Sequence, residues 1–329
     1  MPTFSDFLYT QLILKIPIPA TSFASKTVII TGANSGLGKE TAKHIVRLGA
    51  TKVILGCRTL SKGEAAKEEL DSALNCPKHI IEVWQLDLES PSSITEFVDK
   101  ANQLPRLDVV INNAGMQSLS RHEVAYGTER TIAVNVIGTL LLAIQLIPKL
   151  KETVKIHDTT PHMTFVASAL YDIAKYPENH EGDLFTWLAQ EGNIPNLMEQ
   201  YNLSKLLLLH CIIKLSSLIQ SDGIIVNSLD PCFCKTGLPR EASGPFKVLF
   251  KLFEVLFART AEEGSRLVVQ AASATKESHG KYFRAAGLRD YEPFMTSAEG
   301  VEGREYIWEC LGRKLEEVQP GALGGLQVS

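Results

Sequence analysis

Two rhythms of apolar residues alternate along this chain. Short β-branched runs such as Thr27-Val-Ile-Ile-Thr31 and Lys52-Val-Ile-Leu-Gly-Cys57 have the pattern of buried parallel strands. Similar runs stand at 79–86, 107–111, 162–167 and 223–229, with a short last one at 280–283. Between them the apolar spacing switches to the helical period over 39–48, 61–74, 91–102, 128–150, 201–219 and 262–274. Ser90 before Pro91 offers a helix N-cap. Strands alternating with helices predict an α/β fold, a single domain built on a doubly wound parallel sheet of about seven strands.

The pattern breaks in four places. Residues 1–24 are apolar but interrupted by Asp6, Lys15, Pro17 and Pro19. The uncharged stretch 7–14 is far too short to span a bilayer, so this segment is expected to pack on the domain surface rather than enter a membrane. The main domain then runs over 25–315. Within it, 170–200 is irregular and polar, with Phe185 and Trp187 inserted, and reads as a substrate-shaping insertion. A second insertion, 237–260, carries Phe246, Leu249, Phe250, Leu252, Phe253, Leu256 and Phe257 on more than one helix face. Core burial, a lid over an apolar substrate and lipid contact all account for it. Residues 316–329 look like a loose tail.

Composition narrows the function classes. With 45% apolar and 21% charged residues, the 329-residue chain is an ordinary globular protein. A net charge of −4 gives no reason to expect nucleic acid or an anionic membrane surface as partner. Six scattered cysteines without a Cys-x-x-Cys pair suit packed thiols and a reduced, cytoplasmic setting. The eight histidines show no metal-ligand spacing with them, so no metal is expected.

The strongest chemical signal is Tyr201-Asn-Leu-Ser-Lys205, opening the apolar run 206–219. On a helix, a spacing of four puts the phenol and the ammonium on one face about one turn apart. A fixed positive charge favours phenolate, and bringing a phenol from ~10 to near ~7 corresponds to about 4 kcal/mol. A second copy, Tyr171-Asp-Ile-Ala-Lys175, lies close before Pro177, where a continuous helix is disfavoured. Tyr201 leads into a run free of Pro and Gly, and is the better candidate.

Thr27–Thr31 runs straight into Gly32-Ala-Asn-Ser-Gly36-Leu-Gly38 and then a helix. Strand, glycine turn and helix bring backbone amides against a phosphate and predict a dinucleotide. A P-loop would need Gly at Ala33 and Ser or Thr at Glu40. The second strand ends in Cys57-Arg58, with no carboxylate until Glu64. An arginine there suits a 2′-phosphate, which favours NADP(H) over NAD(H), although Arg58 could equally be a solvated charge. Asp87-Leu88 closes the third strand, with Asp87 facing an adenine amino group or merely helping the turn. Asn112-Asn113-Ala114-Gly115 closes the fourth, with small and carboxamide side chains that suit a ligand edge. Asn135 lies in an apolar helix and must bond the backbone or hold a water in a proton path. Ser168 follows the fifth strand, to cap the turn or to orient a carbonyl oxygen.

In their order along the chain, Thr31–Gly38, Asn112–Gly115, Asn135, Ser168 and Tyr201-x-x-x-Lys205 resemble the short-chain dehydrogenase/reductase family, over roughly residues 25–283. Cys57-Arg58 and the long gap from Ser168 to Tyr201 resemble the branch with retinol dehydrogenases and protochlorophyllide reductase. The resemblance implies a Rossmann fold with Tyr201 as acid or base, Lys205 lowering its pKa, Ser168 on the substrate oxygen and Asn135 holding a relay water. It implies that Gly32, Ser35, Gly36, Leu37 and Gly38 cradle the cofactor, with Asp87 and Leu88 at the adenine. Asn113, beside Ala114 and Gly115, would meet a ribose, Thr236 the carboxamide, and Pro231 would shape the last turn. The family has Pro-Gly where this chain has Pro231-Cys232, so the backbone near the nicotinamide is expected to differ.

The expected function is an NADPH-dependent reductase of an apolar ketone, aldehyde or polycyclic metabolite. Reduction of a C=C bond at the same site and a non-catalytic NADP-binding regulator are the alternatives. The apolar 206–219 helix suits either a homodimer or burial within one subunit.

Overall fold

The computed structural model describes residues 4–118, 122–176, 182–194, 196–235 and 244–326. Among the described residues, eight strands form the main sheet: β1 Thr27–Thr31, β2 Lys52–Cys57, β3 Ile81–Gln85, β4 Val109–Asn112, β5 His162–Val166, β6 Ile225–Leu229, β7 Tyr282–Arg284 and β8 Gly287–Arg289. Their order is β8-β7-β6-β5-β4-β1-β2-β3, parallel except for β8. The order reverses between β1 and β4, so the carboxyl ends of these strands bound the crevice where this topology binds ligands.

β1, β4, β5 and β6 are buried along their whole length because helices cover both faces. The pleat divides their side chains between two cores. Val28 and Ile30 join one with the helices Gly36–Arg47 and Ala261–Ala271; Ile29 and Val110 join the other. The second core holds the long segment Arg130–His157 and the helix Leu197–Leu218. Arg130–His157 is apolar and long enough to cross a membrane, but 89% of its most apolar window lies inside the protein, which makes it a core helix.

Several elements depart from the sequence reading. β3 and β6 start two residues later than their apolar runs, and Gly223 instead takes a left-handed turn at φ 71°. The helix expected from 128 begins at Arg130, because Thr128–Glu129 pairs with Val124–Ala125 in a small antiparallel ribbon. An eighth strand closes the edge, where Arg284 to Gly287 turn the chain back. The tail expected to be loose from 316 is helical: Ala298–Val318 packs on Leu197–Leu218, and Ala322–Leu326 packs on the Arg130–His157 segment. Ile307, Cys310, Leu311 and Leu315 of this C-terminal helix are buried. Burial within one chain therefore accounts for the apolar Leu206–Ile219 run, whose Leu206, Leu207, Leu209, Cys211, Ile212 and Leu215 are sealed.

The N-terminal segment lies on the domain. The Arg259 guanidinium donates to the Thr10 carbonyl at 2.9 and 2.6 Å, Arg266 donates to the Ile16 carbonyl, and the Phe7 ring stacks on Phe253 at 5.9 Å.

Candidate active site

Leu197–Leu218 begins at an Asn196 cap whose side chain accepts from Glu199 N. Four residues in, Tyr201 faces the carboxyl ends of β5 and β6. Ser168 follows β5; its hydroxyl caps the turn by accepting from Leu170 N at 3.2 Å and lies close enough to the phenol to act on it. Lys205, one turn along the helix, holds its Nζ 5.6 Å from the centre of the Tyr201 ring and donates to the Val166 carbonyl at 3.0 Å. Phenol, ammonium and hydroxyl thus converge at one sheet edge.

The electrostatics correct the sequence reading of this pair. Burial pushes the Tyr201 phenol up to about 12, with the Ser168 hydrogen bond pulling down and Asp230 pushing further up. Burial also pushes the Lys205 ammonium down to about 8. Lys205 is tied to the Val166 carbonyl and is desolvated too, so burial sets the balance of the phenol.

The glycine turn fits a dinucleotide. Gly32 and Gly36 hold φ of 67° and 56°, conformations that glycine adopts without strain. Gly36 has open space where a side chain would stand, and the helix N-terminus starting there has no side-chain cap from Ser35. Leu37 is buried beneath the turn. Gly38 is packed so tightly that a side chain would stand 2.6 Å from Asn113 Nδ2 and 2.7 Å from the Gly32 carbonyl. Backbone amides at an open helix N-terminus suit a pyrophosphate.

At the end of β4, Asn113 Nδ2 donates to the Thr31 carbonyl at 2.8 Å, and Thr31 Oγ1 accepts from Asn113 N and Ala114 N. Asn113 thus pins the glycine turn to β4, a structural use that the ribose reading did not contain. Gly115 brings the chain past Asn135 and Lys205: a side chain there would stand 3.2 Å from Asn135 Oδ1 and 3.7 Å from Lys205 Nζ. Asn135 sits in a π-helical turn, Ala133–Gly138. Its amide bonds both backbone groups of Met116 and the Ser204 hydroxyl, each at 2.9 Å. Of the two alternatives for Asn135, the structure shows backbone bonding; it also ties Met116 to the Leu197–Leu218 helix.

Asp87 Oδ1 accepts from Glu89 N at 3.0 Å, so it shapes the turn after β3, where Leu88 is buried. Sequence distance concealed one functional group here. Glu89 reaches Arg58 at 3.2 Å and is held from the other side by Arg130 at 2.6 and 2.9 Å. The end of β2 therefore has a carboxylate after all, contributed 31 residues downstream. A carboxylate two residues past the Asp87 strand end was the only sequence signal for it.

The remaining expectations fall around β6. Pro231 is buried and its carbonyl accepts from the Cys234 thiol at 3.1 Å. Cys232 holds φ 66°, the left-handed conformation that glycine would take. The backbone expected to differ from a Pro-Gly turn keeps a glycine-like shape around a side chain. Thr236 lies outside the described residues. Tyr171 lies on a 3-10 turn, buried edge-on against Tyr282 at 5.5 Å, and is a core ring.

Comparison with known proteins agrees with this geometry. A family model for short chain dehydrogenases matches residues 26–176. The chain is 35% identical over 324 residues to the short chain dehydrogenase/reductase dmxR8 of Cryptosporiopsis sp., covering 96% of this chain and 98% of that one. It is 39% identical over 297 residues to the short chain dehydrogenase atnD of Emericella nidulans, covering 88% and 92%. Among solved structures, the NADPH-bound carbonyl reductase from chicken fatty liver shares the fold at TM-score 0.60 and 20% identity, covering 82% of this chain and all of that one. With relatives along nearly its whole length and the tyrosine–lysine pair at the sheet edge where this topology binds ligands, the chain belongs to the short-chain dehydrogenase/reductase family and is an oxidoreductase of carbonyl and alcohol groups.

Proposed function

We propose that the protein is an NADP(H)-dependent reductase of a fairly large apolar ketone, aldehyde or polycyclic compound, of the kind found among secondary metabolites, retinoids or steroids. The observation that carries this reading is the convergence of Tyr201, Lys205 and Ser168 at the sheet edge beside the glycine turn. The bound nicotinamide would supply hydride to the carbonyl carbon. Ser168 orients and polarises the carbonyl oxygen, and Tyr201 gives it the proton. A phenol held protonated by burial is suited to the acid role, which is the role that reduction needs. Lys205 supports the site from the β5 end through its bond to Val166.

Gly32, Ser35, Gly36, Leu37 and Gly38 would hold the phosphates, with Ala114 and Gly115 along the cofactor and Arg58 on the 2′-phosphate. An apolar substrate is supported by the helix Gly244–Phe257, whose Phe253 meets Phe233, just past Cys232, at 5.5 Å. The chicken relative's bound NADPH supports the same cofactor. A homodimer through the Leu206–Ile219 helix is not carried forward, because the chain's own core and C-terminal helix seal it. A cytoplasmic setting belongs to this proposal, supported by six cysteines present as thiols.

The test follows NADPH absorbance against a panel of apolar carbonyls, with NADH in parallel. Turnover with NADPH and an alcohol as product is expected. A saturated carbonyl would mean C=C reduction, and binding without turnover would leave a cofactor-binding regulator.

A further inference from the structure

Asp230 stands one residue past β6, at the meeting of three strand ends. Val166 of β5 is in register with Leu229, and Leu229 with Phe283 of β7. The next residues along each strand bring the Ser168 turn, Asp230 and Arg284 side by side at the edge that holds Tyr201. Asp230 Oδ1 accepts from Ala169 N at 3.2 Å, on the residue directly after Ser168. The Cys232 N–H adds a smaller pull toward the carboxylate.

The charges around it are unbalanced. Arg284 Nη1 donates to Asp172 Oδ2 at 2.5 Å, and Asp172 lies on the same turn as Ser168. One guanidinium therefore faces two buried carboxylates, in contact with Asp172 and acting on Asp230 through space. Tyr282 from β7 and the Cys232 and Cys234 thiols are further titratable groups around Asp230. Tyr201 faces Asp230, the Ser168 hydroxyl and, from its own helix, Lys205.

We propose that Asp230 is a positioning residue for the reaction: one carboxylate oxygen fixes the turn that presents Ser168, and its charge, shared with Arg284, opposes loss of the Tyr201 proton. The inference deepens the hydride-transfer reading and rests on it. Burial pushes the Asp230 carboxyl up, and the Arg284 charge and the Ala169 N–H pull it back toward the carboxylate. A carboxylate here keeps the phenol in the acid form and sustains reduction toward alkaline pH.

Asp230→Asn separates the two roles, because it keeps an acceptor oxygen for Ala169 N and removes the charge. Asp230→Ala removes both. The first readout needs no turnover: phenolate absorbance against pH, taken as the difference between each protein and its Tyr201→Phe counterpart. Asp230→Asn is expected to show about tenfold more phenolate at a given alkaline pH, equivalent to about one pKa unit. Its alkaline limb for reduction moves down in parallel, while kcat on the acid side stays within a few-fold of wild type. Asp230→Ala is expected to lose kcat more than tenfold on the acid side as well. Phenolate titration unchanged by Asp230→Asn would overturn the charge role, and equal kcat in the Ala and wild-type proteins would overturn the positioning role. NADPH binding, followed by fluorescence, separates this from the parent reading: no binding defeats the reductase, whereas the phenolate difference still reports on Asp230.

Discussion

The Arg58 guanidinium at the end of β2 lies 3.2 Å from the Glu89 carboxylate, which Arg130 grips at 2.6 and 2.9 Å from the opposite side. Glu89 is thus shared between two arginines, of which Arg130 is also paired with Glu123. The Arg58 side chain is 63% exposed and keeps most of its donors open to a ligand.

Glu89 should therefore temper the cofactor preference. A 2′-phosphate on Arg58 meets a carboxylate already there, and removing that charge is worth what an exposed pair is worth, about 0.2–1 kcal/mol. Glu89→Gln is expected to tighten 2′,5′-ADP and NADPH binding about two- to fivefold and to leave NADH unchanged. Arg58→Ala is expected to weaken NADPH and leave NADH, by fluorescence titration at fixed salt. Equal effects on both cofactors would remove Arg58 from the 2′-phosphate.

The two Tyr-x-x-x-Lys copies should separate cleanly. Tyr201→Phe removes the proton donor and is expected to lower kcat about 10²–10⁴-fold without loss of cofactor binding. Tyr171 is a buried ring against Tyr282, so Tyr171→Phe should keep turnover and lower stability by no more than about 1 kcal/mol. Near-wild-type turnover in Tyr201→Phe would refute the site.

Cys232 tests the strained turn. At φ 66° an L-residue carries a left-handed cost of about 1–2 kcal/mol, which glycine escapes. Glycine's greater freedom in the unfolded chain returns part of that gain. Cys232→Gly is expected to raise stability by up to about 1 kcal/mol, whereas Cys232→Val should lower it, since β-branched residues tolerate this region least. Denaturant midpoints at constant slope decide it.

The C-terminal helix should be part of the core's stability. Leu311 is buried there with Ile307 and Leu315, and Leu311→Ala is expected to cost about 2–5 kcal/mol. Deletion of residues 298–329 uncovers the face of Leu197–Leu218 and should yield a self-associating or unfolded chain by light scattering. A truncated chain that stays monomeric and fully stable would show that this segment merely decorates the domain.

The sequence by itself determines what short-range geometry specifies. A β-branched run buried on both faces, glycines between strand and helix, and a spacing of four between Tyr201 and Lys205 each constrain residues that are neighbours in sequence. The alternating sheet and the choice of Tyr201 over Tyr171 followed from them, since Pro177 stood too near the second copy. The helical C-terminus was missed because Ala298–Val318 mixes charged residues and three glycines with few apolar ones, and only its packing partner makes its narrow buried stripe worth forming.

Tertiary structure alone decided the rest, because the deciding contacts join residues that strand order and register bring together. Glu89 meets Arg58 across adjacent strand ends, and Arg284 of β7 meets Asp172 and acts on Asp230 through space. Burial, too, belongs to the assembled fold. The sequence named the phenol and the amine, but desolvation inside the domain set both their protonation balances against the simple attraction that spacing suggested.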